Sequence, residues 1–254
     1  MNFKLIILTF VLFFFNTTFS QQKELHIEYN FYFKDYYPEE RQISVIANHK
    51  ESRSTVTRTI MFKESGSSSF EPKSFYKHFF KTKDSIIYRE TNGHGDPFFI
   101  AEPLHQFEWV LTGNSKTILK YNCQEATTSY RGRDYIAYFT TKIPFKAAPW
   151  KFHGLPGVML AVKTPDDHIK IQARTLQIKP YSGEIENPYP DIKELITYAE
   201  FRKIYIKSSE DFRNKFQSQL SSIGKKNQSM GKPRIRSELR MEIIIEGNGG
   251  YENP

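Results

Sequence analysis

The feature that most constrains this chain is a long succession of short segments in which apolar and polar residues alternate, each ended by a turn. Lys23–Phe33 shows it most clearly, with Leu25, Ile27, Tyr29, Phe31 and Phe33 on one face, because successive side chains of a strand point to opposite sides. Ile43–Ala47, Thr55–Phe62, Phe75–Lys81, Ile86–Glu90, Phe98–Ala101, Phe107–Leu111, Ile118–Tyr121, Ala126–Tyr130, Tyr135–Thr140, Val158–Lys163 and Ile169–Ile178 follow at near-regular spacing. Thr164-Pro165-Asp166-Asp167 joins the last two as a hairpin. The 22 Phe and 15 Tyr suit half-buried pleated surfaces. Strands linked in this way pair antiparallel, and so many predict one strongly curved sheet, an open barrel-like meander.

The periodicity changes after the Gly/Pro-rich bend Tyr181–Pro190. Thr197-Tyr198-Ala199-Glu200 has capping-box spacing, and Tyr198, Phe201, Ile204 and Tyr205 share a helical face. Ser208 and Ser209 offer caps for a second helix bearing Phe212, Phe216, Leu220 and Ile223. Met241–Ile245 returns to strand character, and Gly247–Pro254 reads as a frayed tail. The expected fold is therefore mainly β within the α+β class, with two C-terminal helices packed on the sheet.

The tightest cluster of conformationally special residues is Pro149–Val162, which runs from Trp150 through a proline-glycine corner into an apolar strand. Leu155-Pro156-Gly157-Val158 has the composition of a type II turn: proline presets φ at the second position and glycine supplies the positive φ of the third. Gly154 lacks a Cβ and allows its backbone to approach an aromatic neighbour such as Trp150 or Phe152. Trp150, Lys151, Phe152, Gly154, Leu155, Pro156 and Gly157 together read as a structural corner. His153, held beside it, is the residue expected to line a pocket if one exists.

Tyr130-Arg131-Gly132-Arg133-Asp134-Tyr135, Ala137-Tyr138-Phe139-Thr140, Ile143-Pro144 and Pro149-Trp150-Lys151-Phe152-His153-Gly154-Leu155-Pro156-Gly157-Val158-Met159-Leu160 resemble the GLPGLI family, exported proteins typical of Bacteroidetes. The motif itself reads Gly-Leu-Pro-Gly-Val-Met, departing at its last two positions, and Cys123 falls where the family often carries cysteine. Specific likeness covers about Cys123–Thr175. The resemblance implies export and carries no established activity with it.

Export is also read from the residues. Lys4, the apolar run Leu5–Phe15 and the polar stretch ending at Ser20 make Met1–Ser20 a signal peptide cleaved before Gln21. The run is far shorter than the ~20 residues a spanning helix needs, and no later stretch is apolar enough to cross a bilayer. Residues 21–246 then form one domain, with 247–254 as the tail. A single cysteine excludes an internal disulfide framework, and the strand-like residues around Cys123 point to a buried thiol.

Between Lys193 and Arg240 twelve Lys/Arg face five Asp/Glu, a surplus of seven that accounts for nearly all of the chain's +8. Such a segment suits either a solvated helical face or an anionic envelope surface, with Lys225, Lys226, Arg234 and Arg236 as the contacts; nucleic acid does not fit an exported chain. Neither His94-Gly95-Asp96 nor Asp166-Asp167-His168 has the spacing of a metal signature, and no cofactor fingerprint occurs. No GxSxG elbow or P-loop is present. Trp109 and Trp150 suit core or rim packing better than carbohydrate stacking. Two function classes follow. One is a non-catalytic envelope protein holding an apolar or amphipathic ligand, or a partner protein, in the sheet's concavity. The other is a hydrolase of envelope or extracellular polymers, with His153 the first residue to test.

Overall fold

The computed structural model describes residues 22–34, 39–62, 71–92, 95–104, 107–181 and 183–222. Eleven strands run β1 (Lys23–Phe33), β2 (Glu39–Ala47), β3 (Ser52–Phe62), β4 (Glu71–Lys81), β5 (Ser85–Thr91), β6 (Pro97–Pro103), β7 (Val110–Ile118), β8 (Tyr121–Tyr130), β9 (Arg133–Thr140), β10 (Val158–Lys163) and β11 (Ile169–Pro180), followed by helix α1 (Tyr198–Ser222). They form one sheet in the order β6-β5-β4-β3-β2-β1-β11-β10-β9-β8-β7, and every paired strand is antiparallel. The N-terminal strand therefore sits in the middle, and β1 pairs with β11 along its whole length.

The alternation of β1 is realised: Leu25, Ile27, Tyr29, Phe31 and Phe33 are all buried on one face. The same face carries Ile43 and Val45 of β2, Phe79 of β4, Tyr88 of β5 and Tyr135 and Phe139 of β9. Glu102 of β6 is bonded to Tyr130 and Arg131 at the far end of β8. Nine strand spacings separate β6 from β8 in the sheet order, which would be about 43 Å across a flat sheet. Contact between them requires the sheet to curl until its flanks face each other. The two edges β6 and β7 do not pair, so the sheet is open. The edge of β6 is instead covered by Ile196, whose N–H donates to Phe99 O and whose carbonyl accepts from Ala101 N, both at 3.0 Å, which satisfies an otherwise unpaired strand.

One hairpin differs from the sequence reading. Leu119 and Lys120 lie at φ 47° and 72°, so Ile118–Tyr121 is the tip of the β7–β8 hairpin and not a strand. Phe107 precedes β7, which runs Val110–Ile118. Arg131 (φ 48°) and Gly132 (φ 77°) make the same kind of two-residue turn between β8 and β9. Positive φ at both positions matches the twist of the flanking strands. The first of these turns uses no Asn or Gly, so it left no sign in the composition.

The helical reading is corrected as well. Thr197 caps α1 as its spacing indicated: Glu200 N donates to Thr197 Oγ1 at 3.2 Å and Thr197 N to Glu200 Oε2 at 2.7 Å. Phe201 and Tyr205 are buried, and Phe201 meets Phe98 of β6 at 6.0 Å. Ser208 and Ser209 do not start a second helix; Ser209 Oγ donates to Tyr205 O at 2.8 Å and the helix continues through them. Phe212 and Phe216 beyond are 48% and 36% exposed. Among the described residues a single helix touches the sheet, through its first turns. Met1–Ser20, Ile223, Lys225, Lys226, Arg234, Arg236, Met241–Ile245 and Gly247–Pro254 lie outside the described residues, and among those described no helix is long and apolar enough to cross a membrane.

The 17 residues between β9 and β10, 141–157, fold into the concavity and fill it. Trp150 and Phe152 pack at 4.9 Å from each other, Trp150 lies 6.2 Å from Phe79 of β4, and Phe152 lies 5.0 Å from Tyr135 of β9. Two distant strands are thereby bridged through the interior. Trp150 N donates to Ser54 Oγ of β3 at 2.8 Å, which anchors the insertion on that side.

The corner works differently from a type II turn. Gly157 is not at positive φ; a Cβ there would lie 2.2 Å from Thr140 O and 2.8 Å from Thr140 C. Glycine is required because two backbones touch. The positive φ belongs to Gly154 (96°), whose missing Cβ faces Trp109 Cδ1 at 3.3 Å, so the aromatic neighbour is Trp109. Gly157→Ala should therefore cost about 3 kcal/mol by overpacking against rigid backbone. Pro156→Ala, at an exposed position, should cost well under half of that. Urea melts of the two variants compare these values, and equal midpoints would mean that Thr140 yields freely.

Candidate functional site

Two polar assemblies sit where this apolar interior would lead one to expect none. The first is built around Glu102. Alternation from buried Ile100 turns Glu102 inward, where it is 2% exposed. Lys151 Nζ, itself buried, donates to Glu102 Oε1 at 3.0 Å and to Tyr88 Oη at 2.9 Å. Tyr88 also donates to Oε1, and Arg131 donates to Oε2. Tyr130 Oη reaches Oε2 at 3.4 Å, and the Arg131 guanidinium lies over the Tyr198 ring at 3.2 Å from its centre. The insertion, β5, β6, the end of β8 and the β8–β9 turn thus meet on one carboxylate, and the start of α1 covers Arg131 through Tyr198. Burial by itself would raise the pKa of Glu102. The Lys151 and Arg131 charges, with hydrogen bonds from Tyr88 and Lys151, overcome it and hold the carboxyl well below its ordinary 4.5.

The second assembly lies at one end of the sheet, in an open groove of about 1080 Å³. Its floor includes Leu104, Phe145, Phe152, Leu155 and Met159, and the β2–β3 and β4–β5 turns form one wall. Among the described residues Lys50, Lys81, Lys83 and Lys146 line it against a single carboxylate, Glu51. Lys50, Lys83 and Lys146 are exposed at the rim. Lys81 differs from them. It follows Phe79 in the inward register of β4, is 5% exposed, and donates to Ala148 O at 2.9 Å and Phe152 O at 2.8 Å. Among the described residues no carboxylate pairs with it, and burial lowers its pKa to about 7.

His153 lines the same groove. Its Nδ1 lies 2.8 Å from Lys151 O, and because a carbonyl only accepts, Nδ1 carries the proton. Burial brings the ring's pKa to about 4, so the imidazole is neutral and its lone pair is on Nε2. Trp109 Nε1 donates to His153 O at 2.7 Å and fixes the backbone from the other side.

The structure places the corner residues of the sequence reading as follows. Trp150, Phe152 and Leu155 are core, Lys151 belongs to the Glu102 cluster, and Gly154, Pro156 and Gly157 border the groove beside His153. Glu102, Arg131, Tyr88, Tyr198 and Lys81 were not singled out as site residues from sequence. Strand parity marks two of them, since Lys81 follows buried Phe79 by two and Glu102 follows buried Ile100 by two. Cys123 of β8 is fully buried and its thiol pKa is raised by that burial. Asp167 (φ 57°) is a turn residue paired with Lys163 and Lys170 at 3.2 Å each. Among the described residues no three His, Cys, Asp or Glu converge as metal ligands, and His94 lies outside them.

Glu102→Gln removes the charge that compensates Lys151 and Arg131, and stability should fall by about 3–5 kcal/mol. Because the folded carboxyl titrates below the unfolded one, the wild-type contribution is complete above pH 4.5 and is lost as pH falls through the folded value. Chemical denaturation between pH 7 and pH 3 should show a steeper fall in the wild type than in Glu102→Gln. Parallel profiles would remove Glu102 from this role.

No family model matches the chain, and no curated protein does. Among solved structures it is similar to PNGF-II in two crystal forms, each at 15% identity and TM-score 0.49, covering 74% of this chain and 33% and 34% of that one. The chain spans about a third of the length of that protein. A likeness this low carries no weight for function, which rests on the geometry of the chain itself.

Proposed function

We propose that this chain is an exported GLPGLI-type protein that binds, without catalysis, an amphipathic ligand in the end groove. The concavity expected to hold such a ligand is filled by Trp150 and Phe152 of the chain itself, so the binding volume moves to the groove that the insertion leaves open. The observation that carries the reading is the groove's composition. An apolar floor of Leu104, Phe145 and Met159 lies beneath a rim of Lys50, Lys83 and Lys146 with one opposing carboxylate. Apolar floors take a hydrocarbon body, and a few placed polar groups orient its head. Three exposed ammonium groups favour an acidic head. His49, stacked on Phe145 at 4.9 Å, extends the aromatic wall toward solvent. The basic segment 193–240 would add attraction to an anionic envelope surface.

Titration of the full chain with cis-parinaric acid, a fluorescent long-chain carboxylate, tests this. Saturable binding is expected, and Lys83→Glu with Lys146→Glu should weaken it about fivefold or more at low salt through lost charge complementarity. Absence of saturable binding to the wild type would sink the reading.

A further inference from the structure

We infer that Lys81 is a nucleophilic amine able to hold a carbonyl ligand of the end groove as an imine. The inference rests on the groove being a ligand site and adds the chemistry of its floor. Three geometric facts carry it. Lys81 is the one groove lysine turned inward, buried where the other three are exposed at the rim. Among the described residues it has no carboxylate partner; its hydrogen bonds go to the carbonyls of Ala148 and Phe152. Those two carbonyls belong to the insertion, so the position of the amine is set by backbone on the same segment that forms the groove floor.

An amine donating two N–H bonds to two carbonyls has its third position left for a lone pair when it is neutral. Burial lowers the Lys81 pKa to about 7, so about half of it is neutral at pH 7, against roughly 0.04% of an ordinary lysine at 10.4. His153 on the same groove is neutral and adds no opposing charge. The step is simple addition and dehydration. The Lys81 Nζ lone pair forms a bond to the carbonyl carbon, the carbonyl oxygen is protonated to a carbinolamine, and one water leaves as the C=N bond forms. No oxidant, reductant or net proton is consumed, and water reverses the bond. A ligand of this kind is an amphipathic aldehyde, with its chain on Phe145 and Met159 and its carbonyl at Lys81.

Dodecanal with sodium cyanoborohydride tests it on the full chain at pH 7, since hydride from the borohydride converts the imine into a stable secondary amine. Peptide mass mapping should find Lys81 modified at least about tenfold faster than any exposed lysine, given the difference in neutral fraction. Cis-parinaric acid should slow the modification by competing for the groove. Lys81→Arg, which keeps a donor and cannot form the imine, should abolish the adduct. Labelling of Lys81 no faster than that of the exposed lysines overturns the inference even if cis-parinaric acid binds, and the groove reading then stands alone. Rapid labelling of Lys81 that cis-parinaric acid neither binds against nor slows keeps the reactive amine and overturns the amphipathic site.

Discussion

The structure depends on how one buried carboxylate is shared. Glu102 sits at the edge strand of an open sheet and accepts from Lys151 of the insertion, Arg131 of the β8–β9 turn and Tyr88 of β5. An open sheet has no hydrogen-bonded seam between its edges to set how far it curls. Here the flanks are joined instead by side-chain charges across the interior. Such a cluster adds little net stability over apolar packing, because desolvation offsets most of the attraction. Its effect is to select one arrangement, since displacing any member strands a charge in a medium that cannot solvate it.

The insertion 141–157 is placed by the same contact and by Trp150 against Phe79 and Ser54. Its aromatic side chains occupy the volume in which a curved sheet could otherwise carry a ligand. The groove exists because this filling is incomplete at one end, where the β2–β3 and β4–β5 turns stand clear of the corner. The cluster and the groove are therefore linked through one peptide stretch. Lys151 donates to Glu102, while the next two residues supply a carbonyl to Lys81 and the ring of His153.

Close packing explains why the corner tolerates so little. Gly157 passes against Thr140 at a distance no Cβ permits, and Gly154 faces Trp109 at positive φ. Trp150 itself lies at φ 52°, a left-handed conformation uncommon for a bulky residue. Backbone contacts of this kind hold the polar atoms near Lys81 to one geometry, as a preorganised site requires.

By itself the sequence determined the strand succession outside β7, the buried face of β1, the β10–β11 hairpin and the Thr197 cap, because each depends on residues within one turn or one pleat. It also marked Pro149–Val162 as a structural corner. It did not show the β7–β8 turn, where Leu119 and Lys120 adopt positive φ without Asn or Gly, nor that α1 runs through two serines whose hydroxyls the helix can absorb. The role of Gly157 was misread for a related reason: a glycine needed for φ and one needed for proximity look the same in a chain, and only the position of Thr140 separates them. Glu102, Arg131, Lys151 and Lys81 acquired their chemistry from tertiary structure alone. Their meeting follows from sheet curvature, which brings together strands nine spacings apart, and burial and charge proximity are properties of that enclosure and not of the residues themselves.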